Sequence, residues 1–353
     1  MTSLDLTTVV NVTGRRESDR QTRVLCVLFF FSGAPALIYQ LTWQRALFLI
    51  FGVNIESVTI VVTAFMLGLG VGSLAGGWLS KQRAVPLLLL LAAIEFLTGA
   101  FGLMSLTVFD KVGDFTIGLS LPATAAAALA LVIVPTLLMG ATLPLLVGHL
   151  ARRLGNIGSA VGTLYYVNTL GAGAACLVAA LLLFPFLGMS GSIYVAVAMN
   201  GAVAAAALAA QWLGGAETGT PVAGSMAVSA NRSPVLRFWP ILLLAAAGGF
   251  VSLSYEIFFF RTVSYASGSS ATAFAVTLSA FLVGIASGSR QAGEQCRTAT
   301  QAETIRRLVD TLLMGATLPL LVGHLARRLG NIGSAVGTLY YVKIGRASCR
   351  ERV

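Results

Sequence analysis

Long apolar runs alternate with short polar segments along the chain. The runs fall at about Val24–Leu47, Val58–Leu79, Val85–Phe109, Ala123–Val147, Val161–Leu187 and Ile193–Leu213. A polar stretch containing Gly and Ser follows from Gly214 to Arg237, and two more runs come at Phe238–Thr262 and Ala271–Ser287. A helix needs roughly 20 apolar residues to cross a hydrocarbon core of about 30 Å. The pattern therefore predicts eight transmembrane helices, six before the polar stretch and two after it.

The basic residues set the expected orientation. Arg15, Arg16, Arg20 and Arg23 precede the first run, Lys81 and Arg83 lie between the second and third, and Arg152 and Arg153 between the fourth and fifth. Arg232 and Arg237 lie between the sixth and seventh, and Arg290 and Arg297 follow the eighth, whereas the alternate loops carry few cations. Cytoplasmic loops are the ones enriched in Lys and Arg. This places the N-terminus in the cytoplasm and the protein in the cell (inner) membrane. The first apolar run is not followed by a small-residue cleavage site, so it reads as a retained span.

Sliding the chain against itself by 216 residues aligns Tyr39 with Tyr255, Arg45 with Arg261, Ala64-Phe65 with Ala280-Phe281, Gly68 with Gly284 and Gly72-Ser73 with Gly288-Ser289. Gln40 meets Glu256 in the same register. Runs one and two thus repeat as runs seven and eight in the same orientation, and parallel repeats of six spans are the architecture of major-facilitator-type transporters. The fold class predicted is all-α: a polytopic transmembrane bundle, major-facilitator-like, of about eight spans, six plus the first two of a parallel second set. The organisation is a cytoplasmic segment 1–23, a six-helix half 24–213, a cytoplasmic linker 214–237 and two further helices in 238–289. A second duplication is of another kind. Residues 311–342 copy 136–167 letter for letter, and the tail KIGRASCRERV resembles a translated sequencing adapter. Residues 290–353 are therefore read as an assembly artefact.

Composition agrees with a lipid environment. Hydrophobic residues make up 57% of the chain and charged residues 10%, too few charges to coat a water-soluble surface of this length. A net charge of +10 raises nucleic acid as a partner, but the cations are dispersed among the loops, which suits anionic lipid and excludes a nucleic-acid groove. The four cysteines are scattered, and the two histidines occupy the same position of the exact duplication, so neither a metal site nor a disulfide framework is expected.

Four strings carry a family resemblance: SGAPALIYQLTWQRALFLIFG, AFMLGLGVGSLAGGWLS, PTLLMGATLPLLVGHLARR and GTLYYVNTLGAGAACLVAALLLFPFLG. Over about Leu28–Ser289 the sequence resembles the membrane portion of fused transporter/spermidine-synthase proteins. In that family a major-facilitator-like region precedes a soluble aminopropyltransferase domain, so the resemblance implies a link to polyamine chemistry. The sequence departs from the family where the chemistry lies. No Gly-rich strand-to-helix loop with a following acidic residue is present to hold a nucleotide ribose. No catalytic, cofactor-binding or metal-binding residue is assigned, and no cofactor is expected.

Candidate function rests instead on polar residues inside the spans. An ionisable group at mid-membrane costs at least about 2.5–3.5 kcal/mol, so each asks for a reason. Glu95 in the third run either binds a cation, a proton or an ammonium between helices, or is a structural group hydrogen-bonded to a neighbour. Tyr39, Gln40 and Arg45, repeated as Tyr255, Glu256 and Arg261, form either an interfacial anchor belt or a paired gate facing a cavity. Tyr39 and Trp43 share a helix face, with Arg45 rotated away. Asn168 lies in a Gly- and Ala-rich stretch that favours close helix packing, as do the glycines of GLGVGSLAGG. Pro135 and Pro144 are expected to kink the fourth span. Two functions follow as expectations. One is a non-catalytic membrane module that anchors, or serves substrate to, a spermidine-synthase-like domain; the other is a transporter for a small cationic amine, with lipid and polyamine or another small cation as partners.

Overall fold

The computed structural model describes residues 6–51, 55–80, 86–154, 157–213, 238–266 and 271–298. Within them the chain forms eight α-helices: α1 (Leu6–Phe51), α2 (Ile55–Leu79), α3 (Leu87–Thr116), α4 (Leu121–Leu154), α5 (Ile157–Val178), α6 (Phe184–Leu213), α7 (Phe238–Ala266) and α8 (Ala271–Thr298). Among the described residues the apolar runs read from the sequence are helical almost throughout, as lipid offers backbone groups no hydrogen bonds. The linker 214–237 and the duplicated segment 311–342 lie outside the described residues. Two helix ends pass the predicted limits. The α1 helix begins at Leu6, within the polar leader, and α8 runs on to Thr298.

Among the described residues five segments are long and apolar enough to cross a membrane: Thr22–Leu49, Val62–Leu79, Leu87–Thr116, Pro122–Gly148 and Gly158–Trp212. The protein is a multi-pass membrane protein. The last of these is 55 residues long because α5 passes through a π-helical turn, Ala179–Leu183, directly into α6. Helical geometry fails at Gly188, with φ 65° and ψ −167°. A side chain would strain that conformation, and glycine permits it. The break divides the stretch into arms of about 45 and 36 Å at 1.5 Å per residue, each longer than a hydrocarbon core. The α7 helix contributes a shorter apolar stretch, Trp239–Ser254.

The α3 helix shows which solvent the fold was built for. Phe96, Leu103 and Met104 point outward at 66%, 56% and 62% exposure, while Glu95, Thr98 and Ser105 on the opposite face are buried. Water would favour the reverse arrangement, and so much exposed apolar area marks a face made for lipid.

Small residues decide how closely the helices approach. Gly68, Gly72 and Gly76 recur every fourth residue on one face of α2, and that face lies on α4. A Cβ at Gly72 would overlap the backbone of Leu137, and one at Gly76 the backbone of Ala141. From the other side, Gly140 of α4 meets the Leu69 backbone. This is the small-residue packing expected of GLGVGSLAGG. The α4 helix stays helical through Pro135 and Pro144, and the neighbouring Thr136 and Thr142 hydroxyls donate to the carbonyls of Val132 and Met139 at 2.7 and 2.8 Å. The α1–α5 and α3–α6 pairs complete the first six helices.

The α8 helix packs on α5 through polar clasps. Ser279 Oγ donates to the Gly173 carbonyl at 2.9 Å, and Ser289 Oγ to the Gly162 carbonyl at 3.0 Å. Gly162 and Gly293 bring the two backbones together at the same end. The contact at Gly293 lies beyond Ser289, so the part of α8 read as artefact packs on the bundle as the rest does.

Candidate functional site

A cavity of about 210 Å³ opens between the helices. Its walls repeat the internal symmetry of the sequence. Gly33, Ala36 and Leu37 of α1 line it, and so do Gly249, Ser252 and Leu253 of α7, each 216 residues later. Phe65, Met66 and Leu69 of α2 are matched in the same way by Phe281, Leu282 and Ile285 of α8. Two helix pairs related by the repeat thus present the same positions to one space. The remaining wall comes from α3, α4, α5 and α6.

Glu95 enters this wall from α3 and is 3% exposed. Ser32 Oγ of α1 donates to its Oε1, and Asn200 Nδ2 of α6 donates to its Oε2 at 2.5 Å. The carboxyl group therefore ties three helices together. Hydrogen bonds from two neutral donors stabilise a buried carboxylate without neutralising its charge. Thr98, Thr142, Asn168 and Thr169 add further polar groups to the lining, and Gln40 joins them from α1. Among the described lining residues there is no Lys, Arg or His. The arrangement can hold a positive charge or a set of hydrogen-bond donors. Among the described residues no cluster of His, Cys, Asp or Glu could hold a metal ion.

The structure separates the residues grouped by the sequence. Gln40 faces the cavity. Tyr39 and Trp43 turn the other way and are fully buried against α3, which corrects the reading of an anchor belt at the lipid headgroups. Their rings stack with centroids 4.9 Å apart, Phe101 meets Trp43 edge-on at 5.5 Å, and Trp43 Nε1 donates to Ser105 Oγ at 2.9 Å. Gly102 makes room for the tyrosine, since a Cβ there would lie 2.5 Å from its hydroxyl oxygen. Aromatic rings belong at headgroup level only when their polar ends reach water, and here Ser105 serves the indole instead. Arg45 is half-buried on a third side of α1, its Cζ 4.0 Å from the Phe184 ring centroid.

Asn168 lies both at a helix crossing and at the cavity. It packs where α1 and α5 cross, so closely that a Cβ on Gly33 would lie 2.6 Å from its Oδ1, and it lines the cavity. Tyr255, Glu256 and Arg261 lie along α7, and their side chains are outside the described residues. Sequence reading passed over Asn200, Ser32 and Thr98. Asn200 carried a usable signal, a lone amide in an apolar run, the same signal that singled out Asn168.

The four strings that carry the family resemblance each supply cavity wall. Ser32 and Gln40 come from the first, Phe65 and Leu69 from the second, Met139 and Thr142 from the third, and Asn168 and Thr169 from the fourth. The chain matches no protein-family model and no curated protein.

Proposed function

We propose that this chain is a non-catalytic, solute-binding membrane module of major-facilitator type that holds a small organic cation beside Glu95. The observation that carries this reading is a buried carboxylate at the wall of a cavity lined by repeat-related residues of two helix pairs. In transporters built from repeats, substrate sites lie near the bilayer midplane at the repeat interface. A buried acidic group costs several kcal/mol in such a place, and a bound cation offsets that cost. The positive-inside pattern orients the protein with its N-terminus in the cytoplasm, in the inner membrane, with eight crossings.

The resemblance to fused transporter/spermidine-synthase proteins favours a related second reading, in which the module anchors or supplies an aminopropyltransferase domain. The residues of that resemblance contribute to the cavity wall. On either reading the cation site is the working part of the membrane region.

The test is binding and uptake of labelled amines, including putrescine, spermidine and a monoamine, by vesicles carrying the purified protein. At least one member of the panel is retained above protein-free vesicles. Glu95→Gln lowers that retention at least about tenfold, the scale of a hydrogen bond to a charged group. The folded protein survives the change, because the Asn200 amide can flip to accept from the new amide. Retention of no amine by the wild type, or equal retention by Glu95→Gln, overturns the proposal.

A further inference from the structure

The wall around Glu95 contains oxygens that have no hydrogen-bond partner among the described residues. Asn200 gives its amide nitrogen to Glu95, and its Oδ1 is buried with no hydrogen-bond partner. Thr98 Oγ1, nearly one turn further along α3, is buried and unpartnered as well. Both residues line the cavity, at 2% and 3% exposure. An orphaned buried polar group is costly, and native proteins pair nearly all of them. Glu95 itself has spare capacity. A carboxylate offers about four lone-pair sites, and Ser32 and Asn200 occupy two of them.

What the three residues lack in common is donors. An amide oxygen and a carboxylate only accept, and a hydroxyl accepts as readily as it donates. Asn200 and Thr98 both stand in the cavity wall beside Glu95. Further from Glu95 the character of the wall changes. Phe65, Leu69, Phe281, Leu282 and Ile285 make it aromatic and aliphatic, and Glu95 is the one carboxylate among the described lining residues.

We infer that the cavity selects an amine with one primary ammonium head and an apolar body, in preference to a quaternary ammonium or a polyamine. The inference rests on the cation reading proposed above and adds the head group to it. A primary ammonium brings three N–H donors, one each for Glu95, Asn200 Oδ1 and Thr98 Oγ1. A quaternary ammonium brings the same charge and no donor, so the two orphaned oxygens stay unpaired. A second ammonium on the body of the ligand would be desolvated against Phe65 and Phe281 with no described carboxylate to meet it.

Calorimetry on the full chain in lipid nanodiscs, with three six-carbon ligands, tests each part. Hexylamine binds at least about tenfold tighter than hexyltrimethylammonium and than 1,6-diaminohexane. Thr98→Val weakens hexylamine about tenfold and leaves hexyltrimethylammonium unchanged, while Thr98→Ser restores hexylamine binding. The ligand comparison on the wild type stands even if Thr98→Val does not fold. Equal affinity for hexylamine and hexyltrimethylammonium overturns the donor-matching inference and leaves the cation reading intact. Tighter binding of the diamine overturns the single-headed preference. Binding of none of the three overturns the cation reading itself.

Discussion

The α2 helix has two faces that use opposite means for opposite ends. Toward α4 it presents Gly68, Gly72 and Gly76, and the backbones close on each other without room for a methyl group. Toward the cavity it presents Phe65, Met66 and Leu69, side chains large enough to keep the facing helices apart. In a bilayer no hydrophobic force draws helices together, since lipid tails are as apolar as leucine, so close contact must come from small residues and polar clasps. The comparison teaches that a seam and a cavity can share one helix when glycine and bulky side chains alternate around it. The seam has no room for added volume, and the cavity wall is sensitive to lost polarity.

The most severe way to break the comparison is to put volume into the seam. Gly72→Leu forces a side chain into the Leu137 backbone, which has no rotamer through which to yield. Loss of monodisperse folded protein in detergent is expected, and normal yield with an unchanged melting temperature would contradict the seam. Asn200→Leu tests the cavity wall with a side chain of the same branching and no polar atoms. It removes the donor to Glu95 and leaves a buried carboxylate oxygen unpaired, at a cost of about 1–3 kcal/mol in reversible unfolding. A variant as stable as the wild type would show that the hydrogen bond does not hold α3 to α6. The smallest effect is expected next door. Gly201 has nothing within 4 Å of where a Cβ would stand, so Gly201→Ala changes stability by no more than about 1 kcal/mol, in the stabilising direction. A large loss there would mean that the outer face of α6 is packed against something other than lipid.

Much of the fold was legible before any coordinates. Hydropathy located the apolar helices of the described residues, five of whose segments are long enough to span, because the length of a span is dictated by the bilayer and not by its neighbours. The glycine spacing in GLGVGSLAGG predicted a packing face, and Glu95 stood out because mid-membrane charge is expensive. Hydropathy placed the boundary between the fifth and sixth runs well. The α6 helix starts at Phe184, yet the real break is at Gly188, next to the predicted limit at Leu187. The anchor-belt alternative does not suit Tyr39 and Trp43, because residue type shows that a ring is amphipathic without showing where it is buried. Ser105 accepts from the Trp43 indole, and Gly102 makes room for the Tyr39 ring, whose hydroxyl is buried without a partner among the described residues.

The sequence by itself determined that this is a helical membrane protein, where its helices run, that its first two helices recur as its seventh and eighth, and that one carboxylate needs explaining. Those properties follow from the energetics of single helices in lipid and from self-similarity, and both can be read along one strand of text. Only the tertiary structure decided that Glu95 is held by Ser32 and Asn200, that the repeat-related positions of α1, α2, α7 and α8 face one cavity, and that Tyr39 turns away from it. Partners so distant in sequence are chosen by which helix faces meet. That choice depends on side-chain shape across the whole bundle, which no local pattern records.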